Sequence, residues 1–319
     1  MAILRLVGPL LALALSASYA MADTYPSKPI RLIVPFTPGS GSDMLARMIA
    51  PRLIETLGQQ VVVDNRAGAG SVVGTAIVGA STPDGHTLLV TSSGFAGSAS
   101  IAPKLPYDPI KDFAGITQLI SNALVVAVAP TLGVKTMRDL IALARQKPGQ
   151  MTYASTGVGS GTHYGAELLR LAAKFEATHV PYKGVPEALT DTMTGRVNFY
   201  LPPILAALPL IKDGRIVALV VTTKQRSPLL PDLPTPAEAG IPDFEYEGWY
   251  GMFAPGKTPR PVIDRLSKEM QRILQSPEFN DKVASLGGTP KWTPTADFER
   301  MVRSEITTRA KVFKAAGAK

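Results

Sequence analysis

Strand-like and helix-like segments alternate along this chain from end to end, and that alternation constrains its fold more than any single motif. A β-branched run at Ile30–Pro35 is followed by the turn Thr37–Ser42 and a helical pattern over Asp43–Leu57. Gly58 closes that pattern, as the residue type that best tolerates the left-handed conformation at a helix end. Pro51 falls inside it and predicts a kink, because proline lacks an amide hydrogen and crowds the preceding turn. Val61–Val63 reads as a second strand, followed by Asn65–Gly70 and another helix. Asp84-Gly85 marks a turn into His86–Thr91, and Ile116–Ile120 and Leu124–Ala129 read as consecutive strands. Thr136 with Asp139 forms a capping box for a helix over Met137–Lys147, stopped by Pro148-Gly149. Strand Met151–Ser155 leads into a Gly/Ser turn and a helix ending near Lys174. Strands at His179–Pro181, Val197–Leu201, Ile216–Thr222 and Gly248–Ala254 follow, with a helix near Pro186–Met193 and further helices from Pro261, Pro277 and Ala296. Parallel neighbours need crossovers of a dozen or more residues, so this order predicts an α/β protein with mixed, mainly parallel sheets flanked by helices. Leu124–Ala129 and Trp249–Ala254 are placed to carry the chain between two lobes, which leaves the first lobe discontinuous.

Residue types absent from the chain narrow its chemistry. With no cysteine among 319 residues there is no disulfide framework, thiolate metal site or cysteine nucleophile. Its three histidines, His86, His163 and His179, never fall in HExxH spacing, so a zinc hydrolase is not expected. Residues 1–22 carry one charge, Arg5, then an apolar run from Leu6 to Leu15 and the small-residue pattern Ala20-Met21-Ala22. That arrangement predicts a cleaved signal peptide with Asp23 starting the mature chain, and hence an exported, soluble protein. Removing it leaves 32 Lys and Arg against 25 Asp and Glu, a net charge of +7. These charges are scattered, without a basic run or interleaved aromatics, so no nucleic-acid partner is expected.

Several motifs imitate known sites. Gly251-Met252-Phe253-Ala254-Pro255-Gly256-Lys257-Thr258 satisfies GxxxxGK[ST], but bulky residues and three nearby prolines oppose a phosphate-cradling loop. Gly68-x-Gly70 and Gly157-x-Gly159-x-Gly161 lack dinucleotide-loop spacing, and no serine lies in GxSxG. His163 follows Ser160 by three residues, with no orienting acid identifiable, so a pocket-lining or capping histidine is the expectation. No cofactor is expected.

A different pattern recurs. Three turns after strands are rich in Gly, Ser and Thr: Thr37-Pro38-Gly39-Ser40-Gly41-Ser42, Thr91-Ser92-Ser93-Gly94, and Ser155 through Thr162. Two of them open predicted helices. A helix N-terminus presents unpaired amides and partial positive charge, so it accepts an anion without a basic side chain. At the carboxyl ends of strands, such turns point to a ligand crevice.

These residues, with several stretches elsewhere, resemble a known family. Tyr25-Pro26-Ser27-Lys28-Pro29-Ile30-Arg31-Leu32-Ile33-Val34-Pro35-Phe36-Thr37-Pro38-Gly39-Ser40-Gly41-Ser42-Asp43 resembles the opening of the Bug proteins, the extracytoplasmic solute receptors of tripartite tricarboxylate transporters. Val62–Gly70, Ser81–Leu89, Leu105–Pro109, Tyr153–Gly157, His179–Gly184 and Pro234–Gly240 match in order at family spacing. The resemblance implies a two-lobed fold like type II periplasmic binding proteins, with residues 23–124 plus 251–319 as lobe 1 and 125–250 as lobe 2. It implies a non-enzymatic periplasmic receptor, expected to act as a monomer, that closes on a small organic carboxylate and delivers it to membrane permease subunits. In the family the loop after the first strand binds one carboxylate, which maps onto Phe36, Thr37, Gly39, Ser40, Gly41, Ser42 and Asp43. The opposing lobe maps onto Ser155, Thr156, Gly159, Ser160, Thr162 and His163, and onto the segment with Tyr200 and Pro202; the turn pattern adds Ser92 and Ser93. Many members carry an acid where Pro202 stands here, so a ligand without an amino group is expected. Alternatives are an exported enzyme using the Ser/His turn, and a sensing subunit with the same pocket.

Overall fold

The computed structural model describes residues 25–102 and 104–318; the segment read as a signal peptide, residues 1–22, lies outside them. Two mixed sheets carry the architecture. The first contains β1 (Ile30–Val34), β2 (Val61–Asn65), β3 (Thr87–Ser92), β4 (Phe113–Ala123), β10 (Glu247–Pro255) and β11 (Gly288–Pro290), in the order β11-β4-β10-β3-β1-β2. The second contains β5 (Val125–Val128), β6 (Thr152–Ser155), β7 (Thr178–Pro181), β8 (Phe199–Tyr200) and β9 (Val217–Val221), in the order β7-β6-β8-β5-β9. In each, the strands joined through helices pair in parallel: β1 with β2 and β3, and β6 with β7 and β8. The strands adjoining the crossings pair antiparallel, β10 with β3 and β4, and β5 with β8 and β9.

Helices α1 (Gly41–Leu57), α2 (Val72–Gly79) and α3 (Gly94–Ile101) belong to the first half of the chain, and α4 (Met137–Gln146), α5 (Gly161–Ala173), α6 (Val185–Met193) and α7 (Ile204–Lys212) to the middle. The helices α8 (Arg260–Gln275), α9 (Pro277–Ser285) and α10 (Thr295–Ala315) end it. Helix α1 starts two residues before the expected Asp43, at Gly41 after Ser40, and the Asp43 carboxylate turns back to accept the Gly39 N–H of the preceding turn at 2.9 Å. It runs through Pro51, which sits on the exposed face, and ends at a left-handed Gly58 whose N–H bonds the Ile54 carbonyl. The Thr136/Asp139 capping box opens α4 with both reciprocal bonds in place.

Period-2 alternation assigns the strands to two cores on either side of each sheet. In the first sheet, Ile30, Leu32, Val34, Tyr250 and Met252 face α1 and α8, while Ile33, Trp249 and Phe253 face a cluster with Phe95 and Phe298. The strand expected over Val197–Leu201 contracts to Phe199–Tyr200, since Pro202 and Pro203 have no amide to extend the ladder. The GxxxxGK[ST] stretch is the end of β10 plus a turn; α8 opens only at Arg260, after Pro259.

The chain passes between the sheets at Ala123–Val125 and again between β9 and β10. These passages are tied together: Thr222 Oγ1 accepts the Leu124 N–H at 2.9 Å and the Thr222 carbonyl accepts the Tyr246 N–H at 2.7 Å. Helix α10 spans both halves, with Phe298 in a core of the first sheet and Phe313 in a core of the second.

Candidate functional site

Five helices begin at one cleft. Ser40, Gly41 and Ser42 bring the start of α1 to it, Ser92 and Ser93 that of α3, Gly161 and Thr162 that of α5, Val185 that of α6, and Pro203 that of α7. Phe36, Asn122, Leu124, Thr156, Tyr246, Gly248, Trp249 and Tyr250 complete its wall. None of these residues is Asp, Glu, Lys, Arg or His. The polar groups that meet a guest directly are therefore oriented amides and hydroxyls. Each helix start contributes the equivalent of roughly half a positive charge, so five together favour an anion over a neutral or cationic guest.

Two glycines let the backbone come this close. A Cβ on Gly41 would lie 2.1 Å from the Tyr250 hydroxyl, and one on Gly161 would lie 2.6 Å from Ser93 Oγ and 2.7 Å from the Tyr246 hydroxyl. Tyr250 is placed by antiparallel pairing with Ser92, which sets two wall residues side by side. Ser42 Oγ and Trp249 Nε1 are buried on this wall without a hydrogen-bond partner among the described residues, leaving donors for a guest. Burial raises the hydroxyl pKa of Tyr250 and of Tyr200, so both phenols stay protonated at neutral pH.

The residues expected from sequence divide. Phe36, Ser40, Gly41, Ser42, Ser92, Ser93, Thr156 and Thr162 come together on the wall. Thr37 stands beside it, its hydroxyl donating to Glu187 of α6 at 3.0 Å, and Gly39 holds the turn at φ +82°. Asp43 is consumed by its own helix. Burial opposes its ionised form, but hydrogen bonds from Arg47, Gly39 and Asn65 outweigh that and hold the carboxyl below its usual range. Ser160 caps α5, accepting the His163 N–H at 3.2 Å, and Gly159 packs on the backbone of Ser98. Tyr200 is fully buried in a core of the second sheet, and the Pro202 carbonyl accepts the Val125 N–H at 3.0 Å while its neighbour Pro203 reaches the cleft.

His163 lies in the core beneath the turn. Its Nδ1 accepts the Gly159 N–H at 3.1 Å, its Nε2 lies 3.6 Å from Glu167, and its ring stacks on His179 at 4.0 Å. Neither ring nitrogen addresses Ser160. Among the described residues the serine hydroxyl that does meet a histidine ring is that of Ser155, 2.5 Å from His179 Nε2. Burial, then the nearby His163 and Arg170, push the His179 pKa down to about 3, and Ser155 is fully buried away from the cleft wall. Among the described residues no cluster of three or more His, Asp or Glu could hold a metal ion.

Sequence reasoning missed Asn122, Leu124, Gly161, Val185, Pro203, Tyr246, Gly248, Trp249 and Tyr250. The available signal was topological, because residues where the chain passes between two sheets border any crevice between them.

Known proteins resemble the chain throughout. The family model described as the tripartite tricarboxylate transporter family receptor matches residues 45–318. The chain is 35% identical to Protein BugT of Bordetella pertussis over 319 residues, covering 99% of this chain and 98% of that one. Among solved structures, R. palustris Rpa4515 with adipate superposes with a TM-score of 0.88 at 35% identity, covering 92% of this chain and 98% of that chain. MatC from Rhodopseudomonas palustris with bound malate gives a TM-score of 0.86 at 29% identity, covering 90% and 99%.

Proposed function

The chain belongs to the tripartite tricarboxylate transporter receptor family, and from that premise we propose that it is a periplasmic receptor for a small organic carboxylate, which it delivers to membrane permease subunits without chemical change. The observation that carries this reading is a cleft ringed by five helix starts and bordered by no charged side chain. A carboxylate there gains hydrogen bonds worth roughly 1.5–3 kcal/mol each. Four to six of them, less ordering costs, support micromolar binding at about −8 kcal/mol. No acid borders the cleft to pair with an ammonium, so the ligand is a plain carboxylate rather than an amino acid. Adipate and malate, found in the related structures, set the size class. The receptor works as a monomer. Its two lobes, one built around each sheet and joined where the chain passes at Ala123–Val125 and between β9 and β10, close on the ligand, and α10 bridges them.

A thermal-shift screen of the mature protein against mono-, di- and tricarboxylates, amino acids and sugars tests this. A ligand at 100 times its Kd stabilises the fold by about 2.7 kcal/mol, a melting shift of roughly 5 °C or more for a chain of this size. A shift with a neutral sugar and none with any carboxylate would refute the reading.

A further inference from the structure

Behind the cleft wall lies a cation the binding site does not touch. Arg309 of α10 is 2% exposed, with its guanidinium 4.2 Å above the Tyr164 ring and 5.5 Å from that of Tyr246. Among the described residues its one carboxylate partner is Glu305, 2.9 Å away and 27% exposed to water, and Nη1 has no hydrogen-bond partner. A methionine would fill such a site without the cost of burying charge. The polar contact Arg309 makes toward the cleft is Nη2 to the Tyr246 hydroxyl at 3.3 Å, and that hydroxyl lies 2.8 Å from Ser93 Oγ.

We propose that Arg309 is a positioning residue for the bound anion, acting through Tyr246 on Ser93. This rests on the carboxylate-receptor reading. A guanidinium donating to a phenol oxygen polarises the O–H and commits its proton to the next acceptor, Ser93 Oγ. With its oxygen so occupied, Ser93 directs its own hydrogen into the cleft, where it can donate only to an acceptor such as a carboxylate oxygen. The relay reaches the cleft beside the first residue of α5, since Gly161 packs against both hydroxyls. It thus adds buried positive charge where a helix start already favours an anion.

The test is calorimetric titration of malate, succinate, adipate and benzoate into the intact mature protein and four variants, with melting curves for each. Tyr246→Phe, Ser93→Ala and Arg309→Met are each expected to weaken the tightest of these ligands about tenfold or more. The double variant S93A/R309M is expected to bind within about twofold of S93A alone, because one chain of bonds is being cut twice. A purely structural Arg309 gives additive losses instead, and R309M within twofold of wild type likewise overturns the proposal. If R309M does not fold, Y246F and the further double variant S93A/Y246F carry the test: a tenfold loss in Y246F that does not add to that of S93A in the double supports the relay, and additivity overturns it. A wild-type protein that binds none of the four overturns the receptor reading and this inference together.

Discussion

Replacing Gly41 by alanine is expected to reduce carboxylate affinity by on the order of 100-fold or more while leaving the protein folded. The added Cβ would sit 2.1 Å from the Tyr250 hydroxyl and 2.6 Å from the ring carbon that bears it. Real Cβ atoms do not approach that closely, so one partner must move. Tyr250 is 4% exposed and packed in the core between β10 and α1, so its ring cannot simply swing outward. Either the phenol is driven into the cleft or the first turn of α1 backs away from it. Both outcomes misplace two or more donors, and each hydrogen bond to an ionised group is worth roughly 1.5–3 kcal/mol. Gly41 is absent from the positive-φ glycines, so alanine is conformationally acceptable there and gains slightly in helix propensity. Calorimetry together with a melting curve checks this: affinity within threefold of wild type would show that the start of α1 does not grip the ligand.

Gly97→Ala is expected to produce a loss of similar size by a different route. A Cβ on Gly97 of α3 would stand 1.8 Å from the Gly159 carbonyl oxygen and 2.9 Å from its carbon, both backbone atoms with no rotamer to yield. The contact belongs to a glycine-rich seam between the first-sheet and second-sheet elements. There a Cβ on Gly70 would meet the Val158 carbonyl at 2.1 Å, one on Gly157 would meet Gly70 at 2.7 Å, and Ser98 Oγ donates to the Gly70 carbonyl at 2.9 Å. One methyl group in this seam holds the two halves apart without entering either core. Alanine is the better helix former by about 1 kcal/mol, so each half keeps its stability. The variant should lose roughly 100-fold in affinity, and small-angle scattering should show no contraction when carboxylate is added. Normal affinity with normal contraction would refute the seam as the closing surface.

Most of the fold was legible because local chemistry and global topology agree. Thr136 with Asp139, Gly58, and the strand-helix alternation each have one favoured local solution, and the tertiary structure adopts it. Ser40 and Ser42, Ser92 and Ser93, and Thr156 and Thr162, from three of the expected turns, line one cleft. Legibility failed where a residue had two uses. Ser160 and Asp43 carry hydrogen-bonding groups, but their own helix starts consume them, and His163 is drawn under the turn by Gly159, Glu167 and His179. Trp249 and Tyr250 went unnoticed as wall residues because β10 is buried on both faces and reads as pure core. Which of its side chains meets a crevice depends on where the second sheet lies, and no short-range pattern encodes that. Arg309, over sixty residues from Tyr246 in sequence, shows no local sign of its place behind the cleft.

The most direct measurement compares one bound carboxylate with its own carboxamide by isothermal titration calorimetry at neutral pH. The two share shape, but the carboxamide lacks the charge and presents a donor NH2 where the carboxylate has a second acceptor oxygen, so a ring of N–H and O–H donors rejects it on both counts. The expected result is an affinity ratio of about 100 or more in favour of the carboxylate, since hydrogen bonds to an ionised acceptor are roughly twice as strong as neutral ones and several act together. Equal affinity for acid and amide would contradict the account at its foundation.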